Sequence, residues 1–263
     1  MVAQESLLVT PIGGRVDRSH CLAREGLTSM TLKDNLTAEI KSSFISQWQV
    51  ETAQKVPAPE DLRLNANHAK DLEIATVLYA DIDGSTNMVD GRPWWFSAEI
   101  YKAYLRCAGA LIREEGGTIT AYDGDRVMAV FTGDMKNTRA VRSAMKIHHA
   151  VVDVIQPQIR ARNDNHRDFV LKHKIGIDTS QLQAARIGVR ADNDIVWIGR
   201  AANHAAKLTA IPVDPSIWIT KAVYDVIDND VKFLNGVDMW QKRMWTQMNN
   251  AEVYCTTYKY IFS

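Results

Sequence analysis

Two apolar, strand-like runs, TVLYADIDGST (Thr76–Thr86) and ITAYDGDRVMAVF (Ile119–Phe131), each deliver an aspartate, Asp81 or Asp125, to a turn beside a glycine. Two carboxylates presented from adjacent strand ends, next to a loop free to wrap phosphates, make a site for divalent metals and a nucleotide. That pairing marks an α/β domain as a candidate enzyme.

Composition sets the limits around it. With 263 residues, 46% of them hydrophobic and 24% charged, the chain can bury a full core. Lys+Arg and Asp+Glu balance at 31 each. There is thus no cationic excess to drive nonspecific binding to nucleic acid or to an anionic membrane surface. Cys21, Cys107 and Cys255 are odd in number and scattered, which favours free thiols over a disulfide or metal framework. No stretch approaches the roughly 18 apolar residues of a membrane span, and SLLVTPIGG is too short for a signal core. The expected compartment is a reducing cytoplasm.

Residues 1–29 read as an N-terminal extension, with Met30 a plausible start, and residues 30–62 as a helical segment. Leu36, Ile40, Phe44, Ile45 and Trp48 predict a helix from Leu32 to about Ala53, and VPAPEDL (Val56–Leu62) ends it. Residues 70–263 read as one α/β (α+β) domain with a mostly antiparallel central sheet flanked by helices. The expected elements are a strand at Ile74–Ala80, a helix from about Ser97 to Glu115 stopped by Gly116–Gly117, and a hairpin across Asp123–Gly124–Asp125. A helix follows from about Thr138 to Ile159, then an alternating strand from Phe169 to Ile177. Gln183–Arg190 and Ile195–Gly199 read as a second hairpin, Arg200 to about Thr209 as a helix, Ser216–Thr220 as a strand and Lys221–Ile227 as a helix. One or two strands at Ala251–Phe262 close the chain. Trp94–Trp95, after Pro93, reads as loop or dimer packing, with a lid as the functional alternative.

The run Asp81-Ile82-Asp83-Gly84-Ser85-Thr86 has two mechanistic readings. In a haloacid-dehalogenase-type phosphatase, with its D-x-D-G-T motif, Asp81 would attack phosphorus and Asp83 would be the acid/base. That fold also needs a G-D-x-x-x-D metal motif, and Gly124-Asp125 is followed by Arg126, Val127, Met128 and Ala129, so the second acid is absent. Two hairpins also argue against its parallel sheet.

The second reading uses Asp81 and Asp125 together. The chain resembles the class III nucleotidyl cyclase family, whose domains carry F-A-D-I-x-G-F-T, G-G-x-x-x-K-x-x-G-D-x-x-M-A-V-F, G-I-H-T-G and W-G-x-x-x-N-x-A-x-R-L in that order. Here stand Tyr79-Ala80-Asp81-Ile82-Asp83-Gly84-Ser85-Thr86, then Gly116-Gly117 through Gly124-Asp125 to Met128-Ala129-Val130-Phe131. Gly176-Ile177-Asp178-Thr179 and Gly199 through Asn203-His204-Ala205-Ala206-Lys207-Leu208 follow. The blocks keep family order and spacing over about residues 74–220. The resemblance implies a ferredoxin-type fold in which Asp81, Asp125 and the Ile82 carbonyl hold two Mg²⁺ or Mn²⁺ ions. Gly84, Ser85 and Thr86 would then bind the β- and γ-phosphates, Asn203 would orient the ribose, and Lys207 would stand in for the arginine that stabilises the pentavalent phosphorus. In this family the last two come from the partner subunit, implying a homodimer with sites at the interface.

Departures from the pattern point to the base. The family's purine-reading lysine aligns with Ala121, and its purine-reading aspartate with Val196, or Trp197 if the hairpin shifts by one. Apolar groups there leave a purine edge unpaired. Tyr79 replaces the usual phenylalanine and, by strand alternation, shares a face with Asp81, where it fills space before a smaller base. With Trp197–Thr209, this combination is similar to the bacterial pyrimidine cyclases of Pycsar antiphage systems. That resemblance implies cyclic UMP from UTP, or cyclic CMP from CTP, acting on a separate cyclic-nucleotide-binding effector. A catalytically silent nucleotide-binding module is the rival of another class. His148, His149, His173 and His204 lack metal-ligand spacing and read as structural.

Overall fold

The computed structural model describes residues 31–262 apart from Asn65, so residues 1–29, the expected extension, lie outside the described residues. The chain divides into compact units between Ile45 and Ser46. In the first, α1 (Leu32–Ile45) is set by a reciprocal cap: Asp34 N–H donates to Thr31 Oγ1 at 3.2 Å, and Thr31 N–H donates to Asp34 Oδ2 at 3.1 Å. None of its residues is buried. The predicted helix was longer. Residues 49–52, expected within it, instead form a strand, because β-sheet pairing outweighs a weak local helix preference.

The second unit runs β1 (Gln49–Thr52), β2 (His68–Asp83), α2 (Ser85–Gly91), α3 (Trp94–Glu114), β3 (Thr118–Asp123), β4 (Arg126–Phe131) and α4 (Lys136–His149). The last of these continues through a wider turn at Ala150–Ile155 into α5 (Gln156–Arg160). Then come β5 (Lys172–Val189), β6 (Asp192–Ile198), α6 (Arg200–Thr209), β7 (Ile217–Thr220), α7 (Lys221–Tyr224) and α8 (Asn229–Lys232). The chain closes with β8 (Phe233–Leu234), β9 (Val237–Asp238), β10 (Gln241–Trp245) and β11 (Ala251–Thr256). Among the described residues, nine strands form one sheet in the order β10-β11-β7-β5-β2-β4-β3, with β1 beside β2 and β6 beside β5. Pairing is antiparallel except β1–β2 and β5–β7. The central order β5-β2-β4-β3, with α3 and α4 as the crossovers, is the ferredoxin-type split βαβ arrangement. It also disposes of the phosphatase reading, which needs parallel strands.

Period-2 alternation sorts the sheet's residues between two cores. Leu78, Ala80 and Ile82 of β2, with Val127, Ala129 and Phe131 of β4, pack against Ile100, Tyr104, Leu111 and Ile112 of α3 and Val141, Ala144 and Met145 of α4. The opposite face presents Val77 and Tyr79 with Met128 and Val130, and α6 covers it through Ala201, Ala202 and Ala205. Gly117 N–H to Ile112 O and Gly116 N–H to Arg113 O, both 2.9 Å, close α3 where its glycines predict a stop. Trp94 and Trp95 begin α3 rather than lying in a loop. The two strands expected at Phe169–Ile177 and Gln183–Arg190 are one strand, β5. The second predicted hairpin forms across Ala191, whose φ is 75°. Beyond β11, residues 257–262 are irregular, and β10 pairs with β11 where no strand was expected. No helix of the described residues is long and apolar enough to cross a membrane.

Candidate active site

β2 carries Asp81 on the face of Val77 and Tyr79, and the tight β3–β4 hairpin carries Asp125 beside it. The side chains are close enough to share a hydrogen bond if one is protonated. Burial, and next the charge of Asp125, raise the Asp81 carboxyl from its ordinary 3.8 to about 6. Asp125 Oδ2 is buried and has no hydrogen-bond donor. An orphaned carboxylate oxygen beside a second carboxylate whose charge burial disfavours is a donor set a hard divalent cation would satisfy. No group of three or more His, Cys, Asp or Glu side chains converges elsewhere among the described residues. The remaining ligands of an ion here would be a backbone carbonyl, water and phosphate oxygens, which is how small divalent cations are commonly held.

The surroundings keep these groups in place. Tyr104, fully buried on α3, donates its hydroxyl to the Asp81 carbonyl at 3.3 Å. Tyr101, one helical turn earlier, lies near Ser85; its hydroxyl is held above the usual value by burial first and the charge of Asp125 second. Arg126, directly after Asp125, pairs with Asp123 at 2.8 Å and lies 5.4 Å from the Tyr79 ring centroid. Its charge also opposes the rise at Asp81. Sequence reasoning passed over Tyr101, Tyr104 and Arg126. Only Arg126 left a signal, its position beside the second aspartate.

Of the phosphate-loop residues, Gly84 takes the left-handed conformation (φ 80°) that turns the chain out of β2, and Ser85 and Thr86 open α2. The first N–H groups of a helix have no partner within it. Tyr79 is half-buried, and its hydroxyl makes no hydrogen bond among the described residues. Ala121 and Trp197 pack on the same cluster as Tyr79. Val196 does not: it pairs with Ala185 and is 41% exposed, while its neighbours Ile195 and Trp197 turn to the cluster. On β6 it is thus Trp197, not Val196, that faces the cluster on which Ala121 also packs. Asn203 and Lys207 are exposed on one stripe of α6, with Lys207 Nζ 4.0 Å from Met248 Sδ. No hydrogen bond joins either to Asp81 or Asp125 among the described residues.

The histidines fit structural roles. His148 Nδ1 and His173 Nε2 lie 3.3 Å apart, and burial pushes His173 down to about 3, so it stays neutral. Cys107 and Cys255 are free thiols.

The Asp81 shift fixes the sign of a pH effect. Its pKa is higher folded than unfolded, so the folded state binds more protons between 3.8 and about 6. The group's contribution to stability therefore falls as pH rises through that window and stays low above it. Chelated wild type, measured against Asp81→Asn by urea unfolding, is expected to lose ground between about pH 4 and about pH 7. A constant difference would contradict the assignment. Mn²⁺ is expected to stabilise wild type at the higher pH and much less at the lower, since the ligands must be deprotonated.

Comparison with known proteins follows this geometry. The adenylate and guanylate cyclase catalytic domain family matches residues 68–248. A uridylate cyclase of Burkholderia cepacia is 56% identical over 231 residues, covering 88% of this chain and 99% of the relative. A uridylate cyclase of Xanthomonas perforans is 48% identical over the same shares. Among solved structures, the adenylyl cyclase CyaB from P. aeruginosa superposes with a TM-score of 0.58 at 22% identity, covering 71% of this chain and 94% of that one. At that identity the likeness speaks to the fold alone. Fold, motif order and sequence identity agree: the chain belongs to the class III nucleotidyl cyclase family.

Proposed function

We propose that the protein is a uridylate cyclase, converting UTP to 3′,5′-cyclic UMP and pyrophosphate. The observation that carries the chemistry is the Asp81–Asp125 pair with its donorless buried oxygen. The base preference is supported by Tyr79 and by apolar Ala121 and Trp197 on one cluster. The names of the relatives point the same way.

In the reaction the ribose 3′-oxygen bonds to the α-phosphorus, its proton leaves to solvent, and the bond to pyrophosphate breaks. Asp81, Asp125 and the Ile82 carbonyl would hold two Mn²⁺ or Mg²⁺ ions, which when bound would supply acidification of the 3′-hydroxyl and neutralisation of phosphate charge. Gly84, Ser85 and Thr86 offer N–H groups to the β- and γ-phosphates. Tyr79 closes the base pocket to a purine and turns a free hydroxyl to the smaller ring, with Arg126 backing its aromatic face. Asn203 orients the ribose and Lys207 meets the charge that develops on the phosphoryl oxygens. Lysine brings the charge without the arginine fork. Both are exposed on α6, which suits delivery to the site of a second copy, so the working form is a homodimer with composite sites. The product would serve as an antiphage signal made in the cytoplasm and read by a separate cyclic-nucleotide-binding effector.

The deciding experiment incubates the protein with each of the four nucleoside triphosphates and Mn²⁺ and identifies products by mass spectrometry. Cyclic UMP is expected to dominate, with cyclic CMP, the alternative, in second place. Cyclic AMP alone would sink the pyrimidine reading, and no product from any substrate would favour the silent binding module. Tyr79→Ala is expected to reduce UTP selectivity over ATP by roughly 10- to 100-fold. An unchanged ratio would remove Tyr79 from the base pocket.

A further inference from the structure

Helix α6 meets the sheet mostly through small side chains. Ala201, Ala202 and Ala205 supply the apolar contact of its first turns, and Leu208, fully buried near its end, is its one large buried side chain, so the apolar contact alone gives the first turns few knobs to fix their rotation. Yet Asn203 and Lys207 serve only if the helix holds one rotation. The directional contacts that bear on that rotation lie at the start of the helix.

Asp178 of β5 lies directly under the helix and is 0% exposed. Arg200, the first residue of α6, grips it with a fork: Nε to Oδ2 at 3.1 Å and Nη2 to Oδ1 at 3.2 Å. The same Nη2 donates to the Thr179 carbonyl at 2.8 Å. His204 Nδ1 stands 3.6 Å from Asp178 Oδ2, and the Thr220 hydroxyl of β7 donates to Oδ1. Trp245 packs edge-on against the far side of His204, ring centroids 5.5 Å apart. One turn apart on α6, Arg200 and His204 share a face, and each is three residues before a functional neighbour, Asn203 or Lys207. Fixing the first pair fixes the angle of the second. The family pattern places histidine where this chain has Asp178, so this buried anion is a departure and needs its own reason.

We propose that Asp178 is a positioning residue: through Arg200 and His204 it sets the rotation of α6 and so the placement of Asn203 and Lys207 in the composite site. This rests on the cyclase reading, with its sites shared between two copies. The anion belongs to β5, which pairs with β2, so one sheet aligns both the metal-binding carboxylates of one copy and the helix offered to the other. A buried carboxylate gripped by a guanidinium suits the task because a directional, desolvated pair tolerates few geometries.

The test is complementation. Asp178→Asn is expected to leave far-UV circular dichroism and Mn²⁺ binding at Asp81–Asp125, read by electron paramagnetic resonance, unchanged. Turnover should fall roughly a hundredfold. Mixing it with Asp81→Ala, itself inactive, should restore about a quarter of wild-type sites, because random pairing makes half the dimers mixed, each with one intact composite site. A loss of stability alone would not be repaired by such a partner. Lys207→Ala with Asp81→Ala is the control for the shared site. If the control recovers activity and the Asp178→Asn mixture does not, Asp178 does not act through α6, and the cyclase reading stands. If neither mixture recovers, the shared-site reading fails and this inference with it. Wild-type turnover in Asp178→Asn would also overturn it. Should that variant fold poorly, Arg200→Lys, which keeps the charge and loses the fork, is expected to slow turnover and to be complemented in the same way.

Discussion

Replacing Asp81 with alanine is expected to lower cyclase turnover by roughly a thousandfold or more while making the chelated protein more stable at neutral pH. The two effects have one cause. Asp81 is raised to about 6 by burial and by the charge of Asp125, so at neutral pH the metal-free fold carries an anion where the chain disfavours one. Removing it relieves that repulsion and deletes half of the carboxylate set. Asp125→Ala should abolish turnover equally, since Oδ2 is the buried oxygen without a donor. Urea unfolding in chelator and turnover with saturating Mn²⁺ and UTP check both. An Asp81→Ala protein less stable than wild type in chelator would mean that the pair is structural. Retained turnover in either variant would refute the metal assignment.

Gly176→Ala is expected to cost roughly 1–3 kcal/mol of stability and about a hundredfold in turnover. Gly176 lies under α6, and a Cβ there would sit 2.1 Å from the Ala205 carbonyl oxygen and 2.7 Å from the Leu208 Cβ. The nearer atom belongs to backbone, so no rotamer change relieves the clash and the helix must lift. Gly176 pairs with Tyr79 on β2, two residues from Asp81, so lifting α6 also opens the wall beside Tyr79. Gly84 is a useful contrast. A Cβ there would meet nothing within 4 Å, and the cost would come from its left-handed backbone alone. Wild-type-like midpoint and turnover in Gly176→Ala would show that α6 can move without consequence.

The gap between sequence and structure is widest in β5. Asp178, Thr179, Ser180 and Gln181 form a polar run that reads as a break between two strands. They lie instead inside one continuous strand, because each finds a partner distant in sequence. Asp178 takes Arg200 and Thr220, and Thr179 donates to the Ala75 carbonyl. Ser180 Oγ accepts from Ala201 N–H at 2.9 Å, while Gln181 donates to Asp71. Polar character signals a turn only when no tertiary partner exists, and local pattern cannot reveal the partner. The early end of α1 has the same origin: residues 49–52 are strand because His68–Asp71 lies ready to pair with them. Val196 shows how a single residue matters, since alternation turns Trp197 rather than Val196 toward the cluster on which Tyr79 and Ala121 also pack.

The sequence by itself determined the family and the order of the core elements, and it singled out the two aspartates proposed as the reaction centre. Strand alternation, the Asp-Gly turn and the spacing of four motifs are local properties that survive without a fold. Tertiary structure decided which groups act together. It brought Asp81 within hydrogen-bond reach of Asp125 and raised its pKa, laid Arg126 on Tyr79, and pinned α6 to a buried aspartate. Those effects depend on burial and on contacts between distant residues, and both exist only once the chain has closed on itself.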